Sequence, residues 1–337
     1  MLKKLLLAVL ALAVILGAGL WIGSVASLDH DRRHAAATAQ LPAFDTAAAA
    51  SEAPTLSRIA ARDMIFRARA AGFGGTSGNV LLLHGFPETS VMYEPLLPVL
   101  ANAGYQVLAY DQRGYSPGAR PADVAAYATS ELVADVFAVA DAVGFDTFHL
   151  VGHDWGAAVG WELVMADAER VQSWTSLSIP HLVAYGEAMQ TDPDQQDRSA
   201  YIGFFQLPWL PETLLTFNGL NMLRTGVYAD HPPSVLAEYL DVFAEPGALR
   251  AALNWYRAGG LDQPRGADAP DPILKLPVLF VWGTEDPVVG DKALALQRNY
   301  FEGPFREVPL ETGHWLLQTE PQAVTAAVLQ HLQHRAP

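Results

Sequence analysis

The chain has no cysteine in its 337 residues. Disulfides, thiolate nucleophiles and cysteine-based metal sites are therefore excluded. Positive charge is also scarce, with 21 Lys and Arg against 36 Asp and Glu and a formal net charge of −15. Binding a polyphosphate needs basic patches, so nucleic acid is not an expected partner. Charged residues make up only 17% and hydrophobic residues 51%. That composition supports a sizeable packed core and excludes wholesale disorder. No internal repeat is visible, and the length suits one large domain or two modest ones.

The amino terminus lacks charge for a different reason. Lys3 and Lys4 precede a run from Leu5 to Val25 with no charged residue and only Gly and Ser as weak polar breaks. A membrane-crossing helix needs ~20 apolar residues, whereas the apolar region of a signal peptide is usually ~7–15. Residues 1–28 therefore read as an uncleaved signal anchor rather than a cleaved signal peptide. Cleavage stays open at Ser24-Val25-Ala26 and Ala37-Thr38-Ala39. A buried core helix would show one polar face, and this run has none. Arg32 and Arg33 balance the two lysines, so basic residues alone do not orient the run. Its terminal position suits export, with the rest of the chain anchored outside the cytoplasm, or periplasmic or secreted after cleavage. Residues 29–57, with two alanine runs and Pro42 and Pro54, read as an Ala/Pro-rich tether.

Beyond the tether, apolar runs alternate with helical stretches. Met64 to Ala68, Val80 to Leu83, Val107 to Tyr110, Phe148 to Val151 and Val278 to Trp282 read as strands. Continuous apolar runs of this length suit strands buried on both faces. Leu132, Val133, Val136, Phe137, Ala140 and Val143 share one helical face before Gly144. The alternation predicts an α/β fold with a mostly parallel sheet covered on both faces. From His181 to Asp268 no central strand is evident, only aromatic clusters and prolines. That stretch is expected to be a helical cap inserted over the sheet's C-terminal edge, where open α/β sheets bind ligands. The core then comprises 58–180 and 269–337.

Four fragments carry chemistry. Gly152-His153-Asp154-Trp155-Gly156 directly follows a strand and opens a helix, the pattern of a nucleophile elbow. The central position holds Asp154, not Ser. A carboxylate is ionised at neutral pH and needs no base to become nucleophilic. It would attack a saturated carbon and leave an ester. Helix N-cap is the alternative reading of Asp154. His84-Gly85-Phe86-Pro87 closes another strand and could aim the Phe86 N–H at the same point as that of Trp155, forming an oxyanion hole. Asp286, after the strand Val278 to Trp282, and His314, in Thr312-Gly313-His314-Trp315, complete the order nucleophile, acid, base. Glu285 is the rival acid. His153 is expected to pack beside the elbow rather than react.

With these fragments together, residues 63–337 resemble the α/β-hydrolase superfamily and, within it, the soluble epoxide hydrolases. The Asp nucleophile is shared with haloalkane dehalogenases. The likeness to epoxide hydrolases rests on two cap tyrosines in matching contexts, Tyr201 in Tyr201-Ile202-Gly203-Phe204-Phe205-Gln206 and Tyr256 in Asn254-Trp255-Tyr256-Arg257. It also rests on His84-Gly85-Phe86-Pro87, since dehalogenases more often carry Asn at the third position. The proline-rich Leu207 to Pro211 departs from the family pattern and obscures the cap's tunnel. An epoxide oxygen leaves as an alkoxide and needs a proton, which a neutral tyrosine hydroxyl can give. Halide needs none.

The resemblance implies a small apolar epoxide and water as reactants, and no metal or organic cofactor. Asp154 would be alkylated while Tyr201 and Tyr256 stabilise the opening oxygen. His314, oriented by Asp286, would then activate water. Haloalkane dehalogenation and a silent, membrane-tethered binding protein on the same fold are the alternatives. Oligomeric state is not legible.

Overall fold

The computed structural model describes residues 40–259 and 270–334. The segments 1–28 and 29–39, and the end of the expected cap over 260–268, lie outside the described residues. Eight strands form one sheet: β1 (Thr55–Ala61), β2 (Met64–Ala71), β3 (Gly78–Leu83), β4 (Tyr105–Tyr110), β5 (Phe148–His153), β6 (Val171–Leu177), β7 (Val278–Gly283) and β8 (Phe305–Leu310). Their order is β1-β2-β4-β3-β5-β6-β7-β8. β1 pairs antiparallel with β2 and β2 with β4, while the remaining neighbours are parallel. The fold is thus the expected α/β-hydrolase arrangement.

The central strands are buried because both sheet faces are covered. Val80 through Leu83 and Leu150 and Val151 are fully enclosed. Helices Thr129–Ala142 and Trp155–Ala166 supply part of the cover, the latter packing Gly160 directly against the Trp174 ring.

The C-terminal ends of five parallel strands converge on one rim, and each is followed by a residue of interest. β3 leads to Phe86, β5 to Asp154, β6 to Ser178, β7 to Asp286 and β8 to His314. Between β6 and β7 the described residues form six α-helices, from Leu182–Thr191 through Ala248–Arg257. This cap is fastened to the core by charge. Glu238 in the helix Pro233–Ala244 accepts from Arg67 (2.9 Å) and from Arg69 on β2, and Arg120 meets Glu245 at 2.5 Å. Trp255 donates its indole N–H to the Arg113 carbonyl at 2.8 Å.

One sequence expectation needs correction. Residues 40–57 are not part of a free tether. Phe44 packs edge-on against Phe73 at 4.9 Å, Ala49 is buried, and β1 already begins at Thr55. Phe44 N–H donates to Arg58 O, and Arg58 N–H to Pro42 O, both at 2.9 Å. The attachment comes from backbone pairing and a single ring, so the alanine-rich sequence shows no apolar period to announce it. Among the described residues no helix is long and apolar enough to cross a membrane.

Candidate active site

The elbow is a sharp turn between β5 and the helix Trp155–Ala166. Asp154 has φ 49° and ψ −120°, a conformation costly for any residue with a side chain. It occupies the N-cap position, yet its carboxylate makes no capping hydrogen bond. The N-cap reading of this residue therefore fails. Three glycines let the chain pack this closely, and a Cβ on the first, Gly152, would lie 2.5 Å from Gly156 O. A Cβ on Gly156 would lie 2.1 Å from Leu83 O, and one on Gly85 would lie 2.4 Å from the Asp154 Cβ.

The carboxylate faces the other rim residues. Phe86 donates its backbone N–H to Asp154 Oδ1 at 2.7 Å. Trp155 is the first residue of its helix, so its N–H has no intrahelical acceptor. His314 Nε2 lies 3.5 Å from Asp154 Oδ2. On the other side of the ring, His314 Nδ1 lies 2.9 Å from Asp286 Oδ2. All three side chains are buried. The residues expected from sequence to form a nucleophile, acid and base are therefore brought together. Glu285 is exposed and donates its backbone N–H to Thr312 O at 3.0 Å, while the imidazole Nδ1 is taken by Asp286.

Burial and charge act against each other here. Burial opposes charge on His314, but attraction to Asp286, hydrogen bonds to Asp154 and Asp286, and the Asp154 charge raise its pKa well above the ordinary value. Burial likewise opposes ionisation of Asp286. His314, Ser178 and the Val288 N–H (2.8 Å from Oδ1) nevertheless hold its carboxyl below the usual range.

The cap lowers its tyrosines onto this rim. Tyr201, in the helix Ala200–Gln206, lines a narrow cavity with Asp154, Trp155, Ala158, Ile179 and Tyr185. Tyr256, in the helix Ala248–Arg257, stands perpendicular to Trp155 at 4.9 Å and near-perpendicular to Phe86 at 5.5 Å. The two tyrosine rings are 6.3 Å apart. Burial pushes both hydroxyls well above the ordinary pKa, so both stay protonated donors at neutral pH.

Three residues at the site were not anticipated, and a fourth, His153, was expected only to pack beside the elbow. Ser178, just past β6 and at φ 75°, donates to Asp286 Oδ2, and its Oγ lies 2.8 Å from His314 Nδ1. Tyr185 has its hydroxyl 3.0 Å from Ser199 Oγ and lines the same cavity as Tyr201. Burial pushes its pKa up to about 12. Gln195, from the cap, grips the acid loop by accepting from Gly290 N–H (2.8 Å) and donating to Val288 O (2.9 Å). His153 is hydrogen-bonded to Glu88 Oε2 at 2.7 Å and to the His314 carbonyl at 3.0 Å, tying elbow to histidine loop. Only position beside the elbow hinted at any of these.

Comparison with known proteins matches this geometry. Residues 78–208 fit the family model of the alpha/beta hydrolase fold. Epoxide hydrolase A of Mycobacterium tuberculosis is 34% identical over 292 residues, covering 75% of this chain and 89% of its own. This chain belongs to the epoxide hydrolases of the α/β-hydrolase superfamily. Human epoxide hydrolase 4 is 29% identical, with 75% of this chain and 72% of the relative covered. The crystal structure of epoxide hydrolase A from Mycobacterium thermoresistibile superposes with TM-score 0.67 at 27% identity, covering 83% of this chain and 98% of that one. A solved epoxide hydrolase from hot-environment metagenomes gives 0.72 at 27% identity over 83% and 99%.

Proposed function

We propose that this enzyme converts an epoxide to a vicinal diol through an ester on Asp154. The observation that carries this reading is a buried carboxylate sharing a cavity with the neutral cap tyrosine Tyr201, with the second, Tyr256, packed against Trp155 and 6.3 Å from the Tyr201 ring. A carboxylate oxygen of Asp154 attacks an epoxide carbon, and that carbon's bond to the ring oxygen breaks. Tyr201 and Tyr256 hydrogen-bond the departing oxygen and one supplies its proton. A hydroxyalkyl ester remains on Asp154.

Water then attacks the Asp154 ester carbonyl. His314 takes the water proton, and Asp286 and Ser178 hold the ring in place. The N–H groups of Phe86 and Trp155 receive the negative oxygen. The ring proton that His314 gives up on esterification restores the tyrosine, and collapse expels the diol oxygen, which takes the proton of the new carboxyl and leaves the Asp154 carboxylate beside a protonated His314. The pairing of His314 bears on the order of events. With Asp154 ionised, the ring holds its proton firmly. Esterification removes that charge and acceptor, so the histidine becomes a free base only once an ester exists to hydrolyse.

The Trp155 side chain is the feature that would suit halide instead. The Tyr256 ring stands perpendicular to the Trp155 indole at 4.9 Å, so a hydroxyl acid accompanies it, which supports the epoxide reading. The membrane attachment read from Leu5 to Val25 is likewise proposed, with the catalytic fold outside the cytoplasm. A parallel assay on terminal epoxides and on haloalkanes tests the activity. Diol release without comparable halide release is expected, and the opposite pattern would transfer the assignment to dehalogenation.

A further inference from the structure

The most exposed large apolar side chains in the described residues are not scattered. Leu207 (43%), Trp209 (61%), Leu214 (39%), Phe217 (73%) and Met222 (51%) fall within sixteen consecutive positions of the cap, and every other exposed large hydrophobe reaches only 37%. Exposed apolar side chains gathered in this way mark an interaction surface. The backbone is strained to present them. Trp209 at φ 54° and Leu220 at φ 62° take the left-handed region without being glycine, and Phe217 interrupts its helix at ψ 137°.

Charge narrows the occupant. Residues 207–223 contain a single charged side chain, Glu212, and it is paired with Arg257 at 2.6 Å. A chain of net charge −15 thus has one nearly uncharged apolar projection, carrying a tryptophan of the kind that anchors at membrane interfaces. The sequence before the described residues adds a second indication. The uncharged run Leu5 to Val25 is followed by residues 26–39, which span at most about 50 Å when extended. That is about the breadth of a fold of this size. The connection therefore permits any face to meet the membrane, and surface chemistry selects which one does.

We infer that the cap segment 207–222 rests in the interfacial layer of a lipid bilayer and receives apolar substrate from it. The segment is wired to the site. Arg257, next to Tyr256, donates to Leu207 O at 2.7 Å and holds Glu212, while Phe205, two residues before Leu207, packs 5.0 Å from the Tyr256 ring. Substrate delivery rests on the epoxide-hydrolase reading; docking does not.

The absence of native cysteine makes the test direct. Phe217→Cys and Lys275→Cys in the full chain each carry one nitroxide label, in phosphatidylcholine vesicles. Lys275 is 79% exposed and precedes β7, at the sheet edge away from the cap. The label at 217 is expected to be several-fold more accessible to oxygen than to a water-soluble nickel chelate, with the reverse at 275. Equal nickel access at both positions overturns the docking. So does spin–spin broadening at 217 that vanishes on dilution with unlabelled chain, which assigns the surface to a second copy. For delivery, Phe217→Glu should raise the apparent KM for a long-chain epoxide dissolved in the vesicles by about tenfold, with turnover of a water-soluble epoxide unchanged. Equal effects on both substrates overturn delivery. A protein inactive on every epoxide with label 217 at membrane depth refutes the enzymatic reading and leaves the docking standing.

Discussion

His314 is held between two carboxylates, with Nδ1 2.9 Å from Asp286 Oδ2 and Nε2 3.5 Å from Asp154 Oδ2. Its pKa is raised in the folded protein, so the pairing contributes stability that is fully present below the unfolded value of ~6.5 and lost as pH rises through the folded value. Asp286 behaves oppositely. Its depressed pKa contributes stability present above ~3.9 and lost as pH falls through the folded value. Urea midpoints across pH should decline on the alkaline side in the parent and much less in His314→Gln. An unchanged alkaline decline in that variant would place the titration elsewhere.

The same coupling has a kinetic signature. Ester formation removes the Asp154 charge, so His314 should titrate at lower pH in the alkyl-enzyme than in the free enzyme. NMR titration of the free imidazole, compared with the acid limb of single-turnover ester hydrolysis, reads both values. Equal values would mean that Asp154 contributes nothing to the histidine's proton affinity.

Ser178 donates to the same Asp286 oxygen that faces His314 Nδ1 and should matter only for the second half-reaction. Hydrogen bonds to charged groups are worth ~1.5–3 kcal/mol, so Ser178→Ala should slow ester hydrolysis about 10- to 100-fold while ring opening changes little. Ser178→Gly relieves the φ 75° backbone but also loses the donor, and should show the same kinetic defect. Activity recovered in the glycine variant would show that backbone conformation, not the hydroxyl, is what matters. At the acid itself, Asp286→Asn should cost about 10⁴-fold by analogy with other triads, and exposed Glu285→Gln almost nothing.

The amino-terminal packing predicts a boundary. A chain starting at Thr55 loses Phe44, Ala49 and the backbone bonds of Phe44 and Arg58. It should be about 2 kcal/mol or more less stable than one starting at Gln40, from loss of a mostly buried ring and its bonds. Thermal melting of the two chains checks this, and equal midpoints would make residues 40–54 dispensable.

Legibility in the sequence followed burial and locality. β3, β4, β5 and β7 were readable because strands covered on both faces are continuous apolar runs. β6 was not readable, since Ser173, Thr175 and Ser176 are buried polar residues inside it. β8 was hidden by its mixed, half-buried edge character and Pro309. The elbow, acid, histidine and cap tyrosines each stand in a short local pattern and could be named. Ser178 and Gln195 could not, because their partners lie 108 and about 95 residues away and nothing in their neighbours requires them.

The tyrosine acids predict a split between substrates. Tyr201→Phe and Tyr256→Phe should each slow ring opening, and the double variant should lose most of the ~10²–10⁴-fold that general acid catalysis supplies. Any haloalkane turnover should survive, because halide leaves without a proton. Rapid-quench measurement of epoxide loss in the first turnover reports the step. Equal losses on both substrates would show that the tyrosines shape the cavity rather than donate.

The central claim is that Asp154 becomes esterified, and His314→Gln isolates that step. This variant keeps the carboxylate and both tyrosines but lacks the base. Incubated with epoxide, it should consume one equivalent and retain it, seen by mass spectrometry as the substrate's added mass on the peptide containing Asp154, with no diol released at a useful rate. Epoxide left unconsumed, or diol formed with no mass added to that peptide, would contradict the covalent route.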